Sequence, residues 1–295
     1  MLKEFEEIEF LNNCIICGNS HPVNYEKATW LLNLKEPFRV VRCPICRLSW
    51  LNPRPTKNAY KKIYSMNIYF RNYRTTVSNR MDHFLYRVKR LKNIFPLKEL
   101  KLLDIGSATG EFVALCRDSG IDGIGLELSD YAIKKAIKNY GDHFFKGDVK
   151  SFSDKEWSFC FDVVHLNHTF EHFLNPADSL IEIRKLLKQD GILVIEVPYQ
   201  FNNIVENFKF LLGRATPKEF GLFSLHHPFF YSPYSLLQLL SKCGFDIISL
   251  RTYLPTEIVG SQILGGQKIK RILLKVGDMF FKKGDVIEVF ATKQD

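Results

Sequence analysis

Residues 102–112 of this 295-residue chain constrain its fold more than any other segment. An apolar run ends in Asp104, a loop of small residues extends from Gly106 to Gly110, and an amphipathic stretch begins directly after it. This order predicts a strand, a tight turn and a helix, which form the first crossover of a doubly wound sheet. The glycines let the backbone turn sharply and approach a ligand, and the start of the helix presents free N–H groups.

Two acids near this loop indicate the kind of ligand. The spacing departs from the dinucleotide fingerprint G-x-G-x-x-G, because three residues separate Gly106 from Gly110. Asp104 would repel a pyrophosphate but suits a cationic group such as an ammonium. Glu127 ends the next predicted strand, about twenty residues past the loop, at the place where a carboxylate binds ribose hydroxyls. A ribose and a cationic group without a phosphate describe S-adenosylmethionine.

Five motifs in order resemble those of the class I S-adenosylmethionine-dependent methyltransferases, over roughly residues 100–295. They are the loop at 104–110, the acid Glu127, the segment 147–149, the pair 161–164 and 170–172, and the run 191–198. Ala108 stands where a middle glycine is more usual in the first motif. The resemblance implies an α/β fold with a doubly wound, Rossmann-like sheet of seven mostly parallel strands, the last one antiparallel.

The resemblance also implies which residues hold the cofactor. Asp104 and Glu127 bind it, the small residues of the loop allow its close approach, Asp148 contacts the adenine amine and Leu128 covers the adenine face. The cofactor-binding candidates are Asp104, Gly106, Ser107, Gly110, Glu127, Leu128, Asp148, Val149 and Asn167.

Strand-like and helix-like segments alternate beyond residue 100, which predicts a parallel sheet with helices on both faces, in a methyltransferase domain at 98–295. The expected strands are 101–104, 122–127, 143–147, 161–166, 191–197, 245–252 and 285–292. The expected helices are 110–119, 130–139, 176–188 and 233–243. A further helix, from about Ser78 to Ile94, precedes the first strand, with Ser78 as its N-cap. Two insertions interrupt the pattern, an aromatic one at 199–231 and another at 257–283.

Two C-x-x-C pairs near the N-terminus predict a metal site. The candidate ligands are Cys14, Cys17, Cys43 and Cys46. Four thiolates in two close pairs suit tetrahedral structural Zn²⁺, with iron as the competing metal. The segment between the pairs is too small to fold on its own apolar core, so metal binding would supply folding free energy. Gly18 eases the turn after the first pair, whereas Arg47 lacks that freedom after the second.

We therefore expect a zinc-ribbon-like module at residues 1–55. An N-terminal module of this kind resembles a branch of the methyltransferases, type 23-like, that carries a Cys-four zinc-binding module. Four unrelated buried cysteines are the alternative.

The net charge of +9 is concentrated in one segment. Residues 51–100 carry twelve basic and two acidic side chains, whereas residues 101–200 carry eleven basic and sixteen acidic ones. The basic helical segment at 56–97 could meet nucleic acid, a phosphorylated small molecule or an anionic membrane surface, or be a solvated helix face. We find no export segment and no apolar run long enough to cross a membrane, so we expect a cytoplasmic protein.

Histidines supply the candidate catalytic bases, because a hydroxyl, enol or amine acceptor usually has to lose a proton. His226 and His227 precede the helix after the fifth strand and would lie over the substrate pocket, so they rank first. His168, at the end of the fourth strand, ranks second. A turn packed by aromatic neighbours is the alternative for the pair. His165 lies within a strand and is expected to be a satisfied core residue.

These observations predict a methyltransferase for a small-molecule acceptor of anionic, aromatic or apolar character, of the sugar-nucleotide or secondary-metabolite type. An RNA methyltransferase that uses the zinc module and the basic segment is the alternative. No Asn-Pro-Pro-Tyr tetrad follows the fourth strand, which argues against that reading. A non-catalytic scaffold that retains the fold is a second alternative, and the presence of Asp104, Glu127 and Asp148 argues against it.

Overall fold

A computed structural model describes residues 7–65, 77–95, 99–154, 157–202, 211–212, 225–253 and 284–294. The insertion expected at 257–283 lies outside the described residues, as does most of the aromatic insertion. The elements in chain order are β1 Ile8–Glu9, β2 Val23–Asn24, α1 Glu26–Leu31, β3 Val40–Arg42, β4 Ser49–Leu51, β5 Arg54–Pro55, α2 Lys57–Ser65, α3 Val77–Ile94, β6 Lys101–Ile105, α4 Glu111–Asp118, β7 Asp122–Glu127, α5 Asp130–Tyr140, β8 Phe144–Lys146, α6 Val149–Ser153, β9 Phe161–Asn167, a 3₁₀ turn Phe170–His172, α7 Pro176–Leu186, β10 Leu187–Pro198, β11 Phe229–Phe230, α8 Pro233–Lys242, β12 Phe245–Tyr253 and β13 Val286–Lys293.

Seven strands form the central sheet, in the order β12-β13-β10-β9-β6-β7-β8. β6 pairs in parallel with β7 and β9, β10 with β9 and β7 with β8, whereas β13 runs antiparallel to both β10 and β12. β7 and β8 lie in succession on one side of β6, and the chain then crosses back to place β9 on the other side of β6. The strand order therefore reverses between β6 and β9. The carboxyl ends of β6 and β9 therefore border the crevice in which doubly wound sheets bind ligands. The expected fold class is confirmed.

The observed bounds differ from the expected ones mainly after the seventh helix. That helix ends at Leu186 instead of residue 188, because Leu187 adopts extended dihedral angles and pairs with Phe161 as the first residue of β10. The pairing then shifts register before Ile192. The helix before the first strand begins at Val77, so Ser78 lies inside it and is not its N-cap.

The N-terminal segment builds a second, four-stranded antiparallel sheet in the order β11-β4-β3-β2. Its last strand, β11, comes from the chain that follows β10: Phe229 pairs with Trp50, and Phe230 with Ser49. Leu51 N–H also donates to the Pro228 carbonyl at 3.1 Å. Nearly two hundred residues thus separate the two partners of this ladder.

The N-terminal sheet and the central sheet share one hydrophobic core. Leu48 and Trp50 belong to the same packed cluster as Phe161, Leu180 and Phe229, all of them at most 1% exposed. The segment at 7–55 therefore packs against the central sheet through a continuous apolar interior, which gives a small unit burial that it cannot provide alone.

Helix α3 packs across the central sheet through buried ion pairs. Arg87 is 1% exposed and pairs with Glu196 of β10 and with Glu288 of β13, 2.6 Å away, both carboxylates being completely buried. His83 and the Tyr253 hydroxyl also contact Glu196, at 2.9 and 2.6 Å. Burial opposes ionisation of Glu196, but Arg87, His83 and the Tyr253 hydroxyl together outweigh burial, so the pKa of Glu196 lies well below its usual value.

Part of the basic excess in this segment is therefore internal counter-charge. Arg90 pairs with Glu288, as Arg87 does, so these two cations are directed at buried carboxylates.

No helix in the described ranges has the length and apolar character needed to cross a membrane.

Candidate active site

The loop from Gly106 to Gly110 joins β6 to α4, as its sequence predicts, and its glycines are required by space as well as by conformation. Gly106 has a φ of +79°, and a Cβ there would lie 2.2 Å from Thr169 Oγ1. Gly110 has a φ of +91°, and a Cβ there would lie 2.6 Å from the Phe144 ring. Ala108 also has a positive φ, +48°, so alanine accepts the conformation that a glycine would adopt more easily.

Asp104 lies at the end of β6 and is 5% exposed. Its Oδ1 lies 2.8 Å from His165 Nδ1 on the neighbouring strand β9. Burial raises the pKa of Asp104, and the contact with His165 opposes that shift. His165 was expected to be a satisfied core residue; it is 1% exposed and pairs with Asp104, while its Nε2 has no hydrogen-bond partner within the described residues.

Glu127 ends β7, and its carboxylate closes the loop from the other side. Oε2 accepts from Ala108 N–H at 3.0 Å, and Oε1 accepts from the N–H groups of Leu128 and Ser129 at 2.8 and 2.9 Å. Burial raises the pKa of Glu127, and these three donors oppose that effect. Each carboxylate oxygen can accept two hydrogen bonds, so Oε2 retains one for a ligand hydroxyl.

A small pocket lies beside Asp104 at the carboxyl edge of β6 and β9. It is lined by Asp104, Gly106, Ser107 and Asn167, with Phe84 of α3 and Phe112 of α4 among its apolar walls. Ser107 Oγ and Asn167 Oδ1 are buried and have no hydrogen-bond partner among the described residues. Buried polar atoms of this kind cost free energy unless a ligand or water satisfies them. The residues present fit a polar, cationic ligand portion here.

The other cofactor candidates lie farther along the same edge. Leu128 is 58% exposed, which leaves an apolar surface beside Glu127 that a flat ring can cover. Asp148 is the N-cap of α6, where its Oδ1 accepts from Ser151 N–H at 2.8 Å, and the Ser151 donor lowers the pKa of this carboxyl. Val149 is 5% exposed and packs into the core behind it.

The three catalytic candidates lie in the turn that follows Asn167 and in the segment before β11. His168 has a φ of +49° and its ring is 45% exposed, with Nδ1 3.6 Å from Glu171 Oε1. His226 is 2% exposed, and burial lowers its pKa to about 3. Burial and the neighbouring His172 lower the pKa of His227 to about 3 as well. The structure thus brings all three candidates together and leaves His168 the most accessible of them.

The four candidate metal-binding cysteines converge at the start of the N-terminal sheet. The Sγ atoms of Cys14 and Cys46 lie 3.3 Å apart, those of Cys17 and Cys43 lie 3.4 Å apart, and all four lie within 4.8 Å of one another. Tetrahedral Zn²⁺ with Zn–S bonds of about 2.3 Å places the sulfurs about 3.8 Å apart. The four thiols are free of disulfide bonds, so their spacing fits a metal ion.

The two cysteine turns have the same conformation. Gly18 N–H donates to the Cys14 carbonyl at 2.9 Å, and Arg47 N–H donates to the Cys43 carbonyl at 3.0 Å. Their φ angles are +75° and +62°. Arg47 thus adopts the left-handed conformation that its side chain was expected to hinder.

A model of the methyltransferase domain family matches residues 73–250, which is more than half of the chain. The chain belongs to the methyltransferase domain family. Its fold and motifs are those of the class I S-adenosylmethionine-dependent methyltransferases.

Individual members of this group are distant from this methyltransferase. A malonyl-[acyl-carrier protein] O-methyltransferase from Halalkalibacterium halodurans is 29% identical over 119 residues, which are 37% of this chain and 43% of the relative. The chain thus matches less than half the length of that curated relative.

Two solved structures share the fold. The 1,6-didemethyltoxoflavin-N1-methyltransferase of Burkholderia thailandensis, solved with 1,6-didemethyltoxoflavin and S-adenosylhomocysteine, is 12% identical with a TM-score of 0.55, over 89% of this chain and 98% of that one. An S-adenosylmethionine-dependent methyltransferase from Thermotoga maritima is 19% identical with a TM-score of 0.52, over 77% and 98% of the two chains.

Two features of this methyltransferase site were not predicted. The pairing of Asp104 with His165 could have been found from the parallel alignment of two strands that each carry one polar residue in an apolar run. The grouping of Glu171 and His172 with His227 has no signal beyond the adjacent acid and histidine and the later histidine pair. About fifty residues of chain separate its two parts, so only the fold brings them together.

Proposed function

We propose that the protein transfers a methyl group from S-adenosylmethionine to a small-molecule acceptor bound beside His168, His226 and His227. The observation that carries the proposal is the convergence at one sheet edge of an acid on β6, an acid on β7 and two buried, unsatisfied polar atoms, Ser107 Oγ and Asn167 Oδ1. Asp104 faces the ammonium group, Glu127 binds the ribose and Leu128 covers the adenine, with Asp148 at the adenine edge. Gly106 and Gly110 leave room for the approach.

The chain's own residues position the acceptor and remove its proton. When bound, S-adenosylmethionine supplies a methyl group on a positively charged sulfur, which a nucleophile attacks in line. His168 is the proposed base, because its ring is the most exposed of the three candidates and follows Asn167 directly. Its Nδ1 faces Glu171, so Nε2 is the nitrogen directed to the acceptor. His226 and His227 form the buried wall behind it.

The four cysteines are proposed to hold one structural Zn²⁺. The ion would fix the two turns whose sulfurs already lie at coordination spacing, and a site closed by four protein ligands leaves no position for a reacting group. Through β4 and its pairing with β11, this module supports the segment that carries His226 and His227. Its proposed role is to build the acceptor side.

A small molecule is favoured over RNA as the acceptor. Arg87 and Arg90 of the basic segment are directed at Glu196 and Glu288, which reduces the cationic surface available to phosphates. The solved toxoflavin-type enzyme of the same fold carries a small heterocyclic acceptor. Transfer of labelled methyl groups to RNA, with a steep decrease in binding as salt rises, would instead support the RNA alternative.

The test of the cofactor assignment compares two glycines that share a conformation and differ in their surroundings. Gly106→Ala should abolish calorimetric binding of S-adenosylmethionine, because the new Cβ would lie 2.2 Å from Thr169 Oγ1 and shift the loop. Gly120→Ala is the matched control: its φ is +80°, but no atom lies within 4 Å of the new Cβ. It should cost about 1–2 kcal/mol of stability and leave binding unchanged. Absence of binding to the folded wild type would refute the proposal.

A further inference from the structure

A second cluster of metal-ligand type lies beside the pocket, away from the cysteines. It consists of Glu171, His172 and His227, each of which offers one ligand atom within 4.8 Å of the others. The first two belong to the 3₁₀ turn after β9, and the third precedes β11. The turn begins three residues after Asn167, which lines the pocket, so the cluster borders the proposed acceptor side.

Hydrogen bonds to carbonyl oxygens fix the orientation of both histidine rings. His172 Nδ1 lies 3.0 Å from the His226 carbonyl oxygen, and His227 Nδ1 lies 3.1 Å from Gln200 Oε1. A carbonyl oxygen can only accept, so Nδ1 is the protonated donor in each ring. Nε2 is then the nitrogen that carries the lone pair in each neutral ring. Metal-binding histidines have this arrangement, with the second nitrogen donating to a carbonyl or a carboxylate.

Within the described part of the chain, the Glu171 carboxylate forms a long ion pair with His168. The residue is 2% exposed, and neither Oε1 nor Oε2 has a hydrogen-bond partner there. His168 Nδ1 is 3.6 Å from Oε1, which is beyond hydrogen-bond distance. A buried carboxylate is expensive unless a cation or donors compensate it. A metal ion bound by this carboxylate and one nitrogen of each imidazole would place a full positive charge beside the buried carboxylate.

We propose that Glu171, His172 and His227 bind a divalent first-row transition-metal ion with open coordination positions. Two imidazoles and one carboxylate suit Zn²⁺, Fe²⁺, Mn²⁺ or Co²⁺ better than Mg²⁺, which prefers oxygen ligands. An oxygen of the acceptor takes an open position, where the ion lowers the pKa of its hydroxyl. This role in transfer rests on the proposed function, whereas metal binding by the three side chains does not.

The chemical step balances without an oxidant or reductant. The acceptor hydroxyl loses its proton to His168, and an oxygen electron pair forms the bond to the methyl carbon. The carbon–sulfur bond breaks, and its electrons stay on the sulfur, which becomes neutral. The ion keeps its charge throughout and acts by holding the acceptor oxygen and stabilising the negative charge on it.

The test counts ions in the 295-residue protein after its cysteine site has been filled with zinc. Titration with Co²⁺ should add one ion per chain, measured by elemental analysis. The absorption spectrum of the added Co²⁺ should lack the intense thiolate-to-cobalt charge-transfer band that a cysteine site would give. Glu171→Gln preserves the shape of the side chain and should weaken Co²⁺ binding at least about tenfold, as should His227→Gln. His143→Asn, before β8 and outside the cluster, should leave the Co²⁺ affinity unchanged.

Two results would overturn the proposal. One is a wild-type protein, folded by circular dichroism, that binds no Co²⁺ beyond the cysteine site. The other is a folded Glu171→Gln variant that binds the second ion as tightly as the wild type. Both measurements are made without cofactor or acceptor, so they are distinguishable from a failure to bind S-adenosylmethionine, which would refute the proposed function and leave the metal site standing.

Discussion

The two sides of the pocket are built in different ways. The proposed cofactor side is assembled from consecutive strand–loop–helix units between β6 and α6, in which Asp104 and Glu127 each lie near the end of their own strand. The proposed acceptor side joins segments from three distant parts of the chain: the cysteine module, the 3₁₀ turn after β9 and the segment before β11. The first is a product of local sequence, whereas the second depends on long-range contacts that a metal ion is proposed to secure.

Removal of the cysteine ligands should separate the two sides most strongly. A variant with Cys14→Ser and Cys46→Ser should lose its zinc, because two of four ligands are missing, and with it much of the roughly 10 kcal/mol or more that a structural zinc ion contributes. Amide exchange should become fast in β3, β4 and β11, and methyl transfer should be lost. Binding of S-adenosylmethionine should weaken by no more than a few-fold.

Cys160→Ser is the matched control for this experiment. Cys160 lies outside the cluster and donates to the Ser158 carbonyl at 3.4 Å, a contact that serine can keep. It should retain zinc, exchange protection and transfer. Equal loss of cofactor binding and of transfer in the double variant would show that the two sides fold as one unit.

Sequence alone predicted the strands, loop and helices of the proposed cofactor side well, for a physical reason. Local sequence determines these positions: Asp104 and Gly106 lie in or directly after β6, and Glu127 ends β7. The periodicity of each strand and the turn that follows it therefore predicts where these residues lie. The observed bounds of β7, Asp122–Glu127, agree with the predicted ones. The end of the seventh helix was predicted wrongly. No glycine or proline interrupts the sequence after this helix until Gly191, and the non-local pairing of Leu187 with Phe161 determines where the helix ends.

The acceptor side could be predicted only in part. The C-x-x-C spacing identified the four cysteines, because metal geometry imposes that spacing. It did not show that β11 completes the module's sheet, nor that His172 faces His227. Both contacts depend on how the second sheet packs on the first, and no local pattern in residues 226–231 encodes that packing.

Breaking the ion pairs under α3 should damage the cofactor side without touching the cysteine module. Arg87→Met leaves the completely buried Glu196 and Glu288 without a shared counterion, which should cost about 3–5 kcal/mol of unfolding free energy at neutral pH. Phe84 of the same helix lines the pocket, so cofactor affinity should also fall. Zinc content should not change.

The pH dependence gives this variant a second readout. In the wild type the pKa values of Glu196 and Glu288 are lowered in the folded state, so their contribution is present above the unfolded value, about 4.3, and is lost as pH falls through the folded values. Without Arg87 the pKa values of both carboxyls rise, and protonation removes the negative charge that Arg87 no longer compensates. The penalty of Arg87→Met, measured by denaturant unfolding, should therefore shrink toward about pH 4.

The surface pair supplies the control for the buried one. Arg117 and Asp122 lie 2.8 Å apart with 34% and 56% of their side chains exposed. Arg117→Met should cost less than about 1 kcal/mol because water screens that pair. A penalty for Arg87→Met that is equally small, or that does not change with pH, would contradict the assigned role of the ion pairs.

The smallest effects should come from one strained residue on each side. Ala108 in the cofactor loop and Arg47 in the second cysteine turn have φ angles of +48° and +62°. A left-handed conformation costs a residue with a Cβ about 1–2 kcal/mol, and glycine removes that strain while losing more entropy on folding. Ala108→Gly and Arg47→Gly should thus each raise the unfolding free energy by at most about 1 kcal/mol.

The two glycine variants should differ in whether the increase in unfolding free energy depends on the metal ion. Ala108 N–H donates to Glu127, so Ala108→Gly leaves that hydrogen bond in place and should keep cofactor affinity within a few-fold. Arg47→Gly should gain its stability only while the metal holds the turn, because without the metal the turn has no reason to adopt a positive φ. If chelation leaves the gain from Arg47→Gly unchanged, the second turn forms without the ion, and the acceptor side is more locally determined than its long-range contacts indicate.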